Sequence, residues 1–212
     1  MDRVVSSKPP SLALRLGITG GIGSGKSTVS TLLSARGAAV VDADALSRAV
    51  TAPHGAAIDA IRLTFGPGFI DDSGALDRQA MREHVFADPT AKKRLESIVH
   101  PLVAAAIHAA EHDALRGNAR CIVYDIPLLA ESGDRWRARL DRVLVVDCRP
   151  EVQVERVRLR SGLDQDAVMA IIGAQASRPD RLRVADWVLF NDGFSLQGLE
   201  SEVDSIARMV GL

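Results

Sequence analysis

Gly20-Gly21-Ile22-Gly23-Ser24-Gly25-Lys26-Ser27 is the stretch on which the reading of this chain turns. It fills every required position of the pattern G-x-x-x-x-G-K-[ST]. The apolar run 14–19 before it reads as a buried strand. After it, Val29, Leu32 and Leu33 fall on one face of a helix expected over 26–36, and Gly37 stands where a left-handed C-terminal stop belongs. In a strand–turn–helix of this kind, glycines let the backbone curl until several N–H groups point at phosphate oxygens, and the helix N-terminus adds a favourable field. Lys26, one of four lysines, is placed to reach the β and γ phosphates, and the Ser27 hydroxyl is a hard oxygen suited to Mg²⁺. The alternative is a plain glycine-rich turn. The motif implies a nucleoside triphosphate without saying which reaction follows.

Working outward, four more short apolar runs look like strands: 39–42, 121–126, 142–147 and 187–190. Three of the five are rich in Val, Ile and Leu without alternation, the mark of strands covered on both faces. Helical patterns separate most of them, so the expected class is α/β with a mainly parallel, five-stranded sheet flanked by helices. Almost eighty residues between the second and third strands carry no strand signal. They hold a short helix over 44–51, a face of Ile58, Ile61 and Phe65, the breaker Gly66-Pro67-Gly68, a helix over 78–86 capped by Asp77, and a longer one opened by Asp88-Pro89. Pro101 is expected to kink or restart that last helix. A second insertion follows the fourth strand: a helix from Pro150 carrying Arg156 and Arg160, a break at Ser161-Gly162, a helix capped by Asp164 with Val168, Ile171 and Ile172 on its apolar face, then Arg178, Arg181 and Arg183. The last helix starts near Ser195 and should bury Leu196, Leu199, Val203 and Ile206.

Composition narrows the function classes. At 212 residues the chain fits one domain with an insertion, given about 150 residues per domain. With 47% hydrophobic and 25% charged residues it is neither disordered nor a fibre. A net charge of −1 lacks the basic excess of a duplex-DNA binder. No apolar run approaches the roughly 18 residues of a membrane helix. Residues 1–11 are polar, end in Pro9-Pro10 and lack the apolar segment of a secretory signal, so a disordered leader is expected there. The two cysteines, Cys121 and Cys148, sit in apolar runs without metal spacing and read as buried thiols in a reducing compartment.

Several acids and bases could carry chemistry. Asp42-Ala43-Asp44 ends the second strand, where ligands lie in open α/β sheets. One of the pair could take a proton from an attacking hydroxyl; equally, Asp44 could cap the next helix and Asp42 merely end the strand. Asp125 and Asp147 end strands three and four, and either could hold a metal's water shell, although Asp147 reads better as a strand-end residue. Arg156, Arg160, Arg178 and Arg181 flank the polar break and form either a lid over phosphates or a solvated basic face. His100 before Pro101 reads by itself as a structural histidine, and Arg48, one turn after Asp44, as a phosphate contact or a surface pair.

Together these segments resemble the dephospho-coenzyme A kinase family. The likeness extends from about residue 14 to 210 and rests on Thr19 to Thr28, Asp42-Ala43-Asp44 with Arg48, Phe65-Gly66, Gly74 to Arg78, Val99-His100-Pro101-Leu102, Pro127-Leu128-Leu129, Ala174-Gln175, and Val184-Ala185-Asp186 with Asn191. The resemblance implies a P-loop kinase fold with a helical substrate-binding insertion over 53–117, a nucleotide-binding core over 12–52 and 118–212, and a lid at about 160–183. It implies transfer of a phosphoryl group from ATP to the ribose 3′-hydroxyl of dephospho-CoA, with Mg²⁺, in the cytoplasm. ATP and dephospho-CoA are the implied partners, without nucleic acid or membrane. By matching position, Asp44 would be the general base. Gly21, Gly23, Ser24, Gly25, Lys26, Ser27 and Thr28 would hold the ATP phosphates, with Ser27 on the metal. Arg160 would reach the phosphates from the lid, and Asn191 would lie at the adenine side. Arg48 and His100 would shape the dephospho-CoA pocket with the helices of 77–110. Gln175 falls at a lid position. Ser161 and Phe190 stand where relatives often carry acids.

Three rivals are weaker. Another small-molecule P-loop kinase would share Lys26, Ser27 and the arginines, but the long insertion and the His100-Pro101 pair favour the coenzyme reading. A GTP switch should carry an Asn-Lys-x-Asp segment, which this sequence lacks, and Asp71-Asp72-Ser73-Gly74 reads only as an acidic turn. A nucleic-acid or membrane ATPase is disfavoured by charge balance and by one Tyr and two Trp.

Overall fold

The computed structural model describes residues 13–131, 133–193 and 195–212, save the side chains of Asp134 and Arg135. The leader expected over 1–11 lies outside the described residues. In chain order the elements are β1 (Leu14–Gly20), α1 (Lys26–Ala35), β2 (Ala39–Asp42), α2 (Ala43–Val50), α3 (Ile58–Phe65), α4 (Arg78–Ala87) and α5 (Pro89–Arg116). They continue with β3 (Cys121–Asp125), α6 (Asp134–Arg137), β4 (Arg142–Asp147), α7 (Pro150–Ser161), α8 (Gln165–Ala174), α9 (Arg178–Arg183), β5 (Trp187–Phe190) and α10 (Leu196–Met209).

The five strands form one sheet in the order β2-β3-β1-β4-β5. β1 pairs in parallel with β3, Leu16 opposite Val123, and with β4, Ile18 opposite Leu144; β4 pairs in parallel with β5. β1 is therefore central, and the chain leaves its carboxyl end directly into the glycine-rich turn. Strands buried on both faces explain the continuous apolar runs. On one face Leu16, Ile18, Val123, Leu144 and Val146 meet Val29 and Leu33 of α1 and Leu199, Val203 and Ile206 of α10. Leu196, expected in that core, is instead exposed. Its periodicity fixes a helix face but not how far the partner surface extends along it. Ile171 of α8 is likewise at the surface, whereas Val168 is fully buried.

The chain divides into two compact units: the described residues up to Val40 with Ala114–Leu212, and Val41–Asp113. The second unit has its own core of Ala57, Ile58, Ile61, Leu76 and Met81, against which Phe65, Phe69, Leu95, Ile98 and Leu102 pack. Several segments quoted for the resemblance build this unit. Gly66 and Gly74 have positive φ, Leu76 is buried, the Asp77 carboxylate caps α4 by accepting from the N–H groups of Gln79 and Ala80, and Arg78 donates to the Thr51 hydroxyl at 2.9 Å. The 71–74 turn is held by the Asp71 carboxylate, which accepts from the Ser73 and Ala75 N–H groups.

Pro101 does not restart the helix: α5 runs unbroken through it for 28 residues. The missing N–H costs one ladder bond, but Leu95, Ile98 and Val99 before it and Leu102 after it pack on the same core. Burial on both sides of the proline outweighs the local preference. The short α6, whose Trp136 ring tilts against Tyr124 at 5.9 Å, has no forecast in the sequence. Four residues are too few to display a period.

Candidate active site

The turn between β1 and α1 is shaped from outside. A Cβ on Gly20 would lie 2.4 Å from the Val146 carbonyl oxygen, so only glycine lets the turn leave the sheet there. Gly25 has φ 92° and a Cβ on it would lie 2.3 Å from the Asn191 amide nitrogen. Neighbouring side chains then take the loop's carbonyls. Gln153 Nε2 donates to the Ile22 carbonyl at 2.8 Å, Asn191 Nδ2 donates to the Ser24 carbonyl at 2.8 Å, and Arg156 Nη1 lies 3.4 Å from the Gly23 and Ser24 carbonyl oxygens. With the carbonyls bound on the outside, N–H groups of the loop and of the first turn of α1 are left for an anion. The Gly23 and Gly25 N–H groups have no partner among the described residues. The buried Ser24 hydroxyl also finds none among them.

Lys26 is held beside this concavity by an ion pair with Asp125, which ends β3; both side chains are largely buried. Ser27 and Thr28 are exposed at the start of α1. Asp147, at the end of β4, is buried and bound by two nitrogens of Arg178, with contacts of 2.7–3.0 Å. Arg149 pairs with Asp192, whose carboxyl it holds below the usual carboxylate range by hydrogen bonding and charge. The Asn191 N–H donates to the Asp147 carbonyl at 2.7 Å. These contacts fix the segment after β5 and, through Asn191, the phosphate loop.

The arginines grouped in the sequence have separate tasks. Arg178 neutralises Asp147, Arg181 is 5% exposed and donates to the Ala176 carbonyl, and Arg156 faces the loop. Arg160 alone of the four is exposed without a hydrogen bond or ion pair among the described residues. Asn191, placed at the adenine side by the resemblance, is buried with its amide nitrogen committed to Ser24. Cys121 and Cys148 are buried, as expected, and burial pushes their thiols up to about 12 and about 11.

In the second unit the choice between Asp42 and Asp44 is resolved at the level of capping. The Asp42 carboxylate accepts from the Ala45 N–H at 2.8 Å and is the N-cap of α2. Asp44 sits in the first turn of that helix, exposed, with no hydrogen bond or ion pair among the described residues. Arg48 and His100 are exposed as well.

Sequence reasoning missed Gln153 and Glu131. A buried glutamine three residues into α7, on the same face as the buried Val157, was the available signal. Glu131 lies in a loop and gave none.

The sequence profile of dephospho-CoA kinases matches residues 14–197. The chain belongs to the dephospho-CoA kinase family. A dephospho-CoA kinase from Albidiferax ferrireducens is 55% identical over 199 residues, covering 94% of this chain and 93% of the relative. The solved structure of TT1252 from Thermus thermophilus superposes with a TM-score of 0.76 at 37% identity, over 93% of this chain and 97% of that one. A dephospho-CoA kinase from Campylobacter jejuni, at 22% identity and a TM-score of 0.63 over 94% and 98% of the two chains, shares the fold. No helix among the described residues is long and apolar enough to cross a membrane.

Proposed function

We infer that this chain transfers the γ-phosphoryl group of ATP to the ribose 3′-hydroxyl of dephospho-CoA, giving CoA and ADP, the last step of coenzyme A biosynthesis. Family membership across residues 14–197 carries this reading, and the outward-bound carbonyls of the phosphate loop support it from the physics. In the reaction the 3′-oxygen bonds to the γ-phosphorus, the bond from that phosphorus to the β–γ bridging oxygen breaks, and ADP leaves.

The residue roles follow from chemistry and position. A ribose hydroxyl is a poor nucleophile at neutral pH, so it needs an acceptor for its proton. Asp44 suits that task, because Asp42 serves as the helix cap and the Asp44 carboxylate is free of protein partners among the described residues. The loop N–H groups that no protein group takes, those of Gly23 and Gly25 among them, and the Lys26 ammonium hold the phosphates, which puts most of the catalysis into positioning and charge neutralisation. Arg160 brings positive charge to the transferring phosphoryl group. Arg48 and His100 bind the acceptor. Asn191 acts on ATP through the Ser24 carbonyl that it holds. The second unit, with its separate helical core, is the acceptor-binding part, and the segment at about 160–183 is the lid.

A Mg²⁺ ion fits the donor set: the exposed Ser27 hydroxyl is a hard oxygen and the Asp125 carboxylate stands beside Lys26. Among the described residues there is no cluster of three acidic, histidine or cysteine ligands, so protein ligands alone do not build a cage. When bound with ATP, Mg²⁺ neutralises charge on the phosphate oxygens. Ser27 would hold it directly and Asp125 through water. The two buried thiols are consistent with a cytoplasmic setting.

A coupled ADP-release assay with Mg-ATP tests the reading, comparing dephospho-CoA with no acceptor, adenosine and CMP. Turnover confined to dephospho-CoA is expected. Activity with another acceptor alone would keep the kinase fold and overturn the substrate.

A further inference from the structure

Two N–H groups of the phosphate loop are taken by protein acceptors: that of Ser24 donates within the loop to the Gly21 carbonyl at 3.1 Å, and that of Ile22 donates to a distant side chain. Ile22 N–H donates to the side-chain oxygen of Gln175 at 2.9 Å, while the carbonyl of the same residue accepts from Gln153 Nε2 at 2.8 Å. Ile22 is therefore gripped on both sides by two glutamines of opposite polarity: Gln153 gives a donor and Gln175 an acceptor. Gln153 lies in α7, Gln175 just after α8.

Gln175 is itself pinned through the next peptide. The Ala176 N–H donates to Glu131 Oε1 at 2.7 Å, and the Ala176 carbonyl accepts from the buried guanidinium of Arg181. That guanidinium also closes on the loop, since a Cβ on Gly21 would lie 2.9 Å from its Nη2. The Ile22–Gln175 hydrogen bond thus ties the phosphate loop to a segment between α8 and α9 that is itself held by Glu131 and Arg181.

We propose that Gln175 is a positioning residue for ATP. Its amide oxygen sets the Ile22 peptide so that the loop meets the triphosphate preformed, and Gln153 fixes the same peptide from the other side. A loop held in its binding conformation before the ligand arrives loses less freedom on binding. The proposal rests on the reading that this loop holds ATP, not on the identity of the acceptor. It predicts a polarity rule: position 175 needs an acceptor, position 153 a donor.

The test uses the full chain and two variants at one position. Gln175→Leu keeps the size and removes the acceptor. Gln175→Glu keeps the acceptor and adds charge. Hydrogen exchange of the Ile22 amide, measured by NMR without nucleotide, reads the contact. Mg-ADP titration and steady-state kinetics read its consequence. In Gln175→Leu, Ile22 should exchange at least about tenfold faster. Mg-ADP affinity should fall and KM for ATP rise by about three- to tenfold, the span one neutral hydrogen bond supports. kcat and KM for dephospho-CoA should stay within about twofold of wild type. Gln175→Glu should restore slow Ile22 exchange, which a purely steric or stability role of the side chain would not produce. Unchanged Ile22 exchange in Gln175→Leu, unchanged Mg-ADP affinity despite faster exchange, or a fall in kcat with KM for ATP intact would each overturn the proposal. The exchange and Mg-ADP readouts need no acceptor, so failure of the dephospho-CoA assignment would be seen separately, as missing turnover in the wild-type chain.

Discussion

The phosphate loop and the start of α2 each carry residues proposed to meet substrate, yet they are built in opposite ways. Around the loop, side chains from distant parts of the sequence hold the backbone, Gln153, Arg156 and Asn191 on carbonyls and Gln175 on an N–H, while Asp125 holds the Lys26 ammonium. The side chains of Asp44, Arg48 and His100, proposed to meet the acceptor, make no hydrogen bond or ion pair among the described residues, and all three residues are exposed. The loop is preformed by protein contacts, whereas the side chains proposed for the acceptor have no protein partners among the described residues. A triphosphate carries the same charges in every turnover, so a rigid cradle suits it. Charged groups without protein partners can turn all of their hydrogen-bonding capacity to the acceptor.

This contrast can be broken or sharpened by substitution. The largest effect is expected from Lys26→Ala, which leaves Asp125 unpaired and removes the cation from the phosphates; turnover should fall about a thousandfold or more in the coupled assay. Phosphoryl transfer at the wild-type rate would contradict the loop's role. Asp44→Asn should lower kcat by about 10²-fold or more, the scale of general-base loss, with little change in KM for ATP. A variant that keeps over half its activity would remove Asp44 from that role. Arg48→Ala should raise KM for dephospho-CoA by about tenfold, within what a charged hydrogen bond supports, and leave KM for ATP alone. If both constants rise together, the division into a donor side and an acceptor side is wrong. Asn191→Ala leaves the Ser24 carbonyl without that donor and should raise KM for ATP about three- to tenfold without touching the acceptor constant.

The smallest effect concerns the core. Cys121 and Cys148 are pushed up to about 12 and about 11 from an ordinary value near 9.0, so the folded chain holds both protons more tightly than the unfolded chain does. Both thiols therefore stay protonated at pH 8, and the reactive thiolate is scarce. A thiol reagent at pH 8 should find neither in the folded protein and both after denaturation. Rapid labelling of the native chain would show that one of them is accessible.

The donor side was legible in the sequence because its essential parts are contiguous: strand, Gly20 to Ser27, and helix form one local pattern. The sheet was legible from runs of Val, Ile and Leu. What supports the loop was not, since Gln153, Gln175 and Asn191 lie more than 120 residues away in sequence and reach it only through the packing of α7, α8 and β5. The restart expected at Pro101 does not occur for a related reason: a local helix breaker was weighed without the core that holds α5 on both sides of it. Likewise, the split of Asp42 and Asp44 into cap and free carboxylate depends on side-chain geometry that two equivalent acids two residues apart do not reveal.

The account is tested most directly by the product formed from dephospho-CoA and Mg-ATP, identified by mass and by ³¹P NMR. It predicts a gain of one phosphoryl group, carried as a monoester on the ribose 3′-oxygen, with one ADP released for each product molecule. A phosphoryl group on any other oxygen, or ADP release without a phosphorylated acceptor, would contradict it.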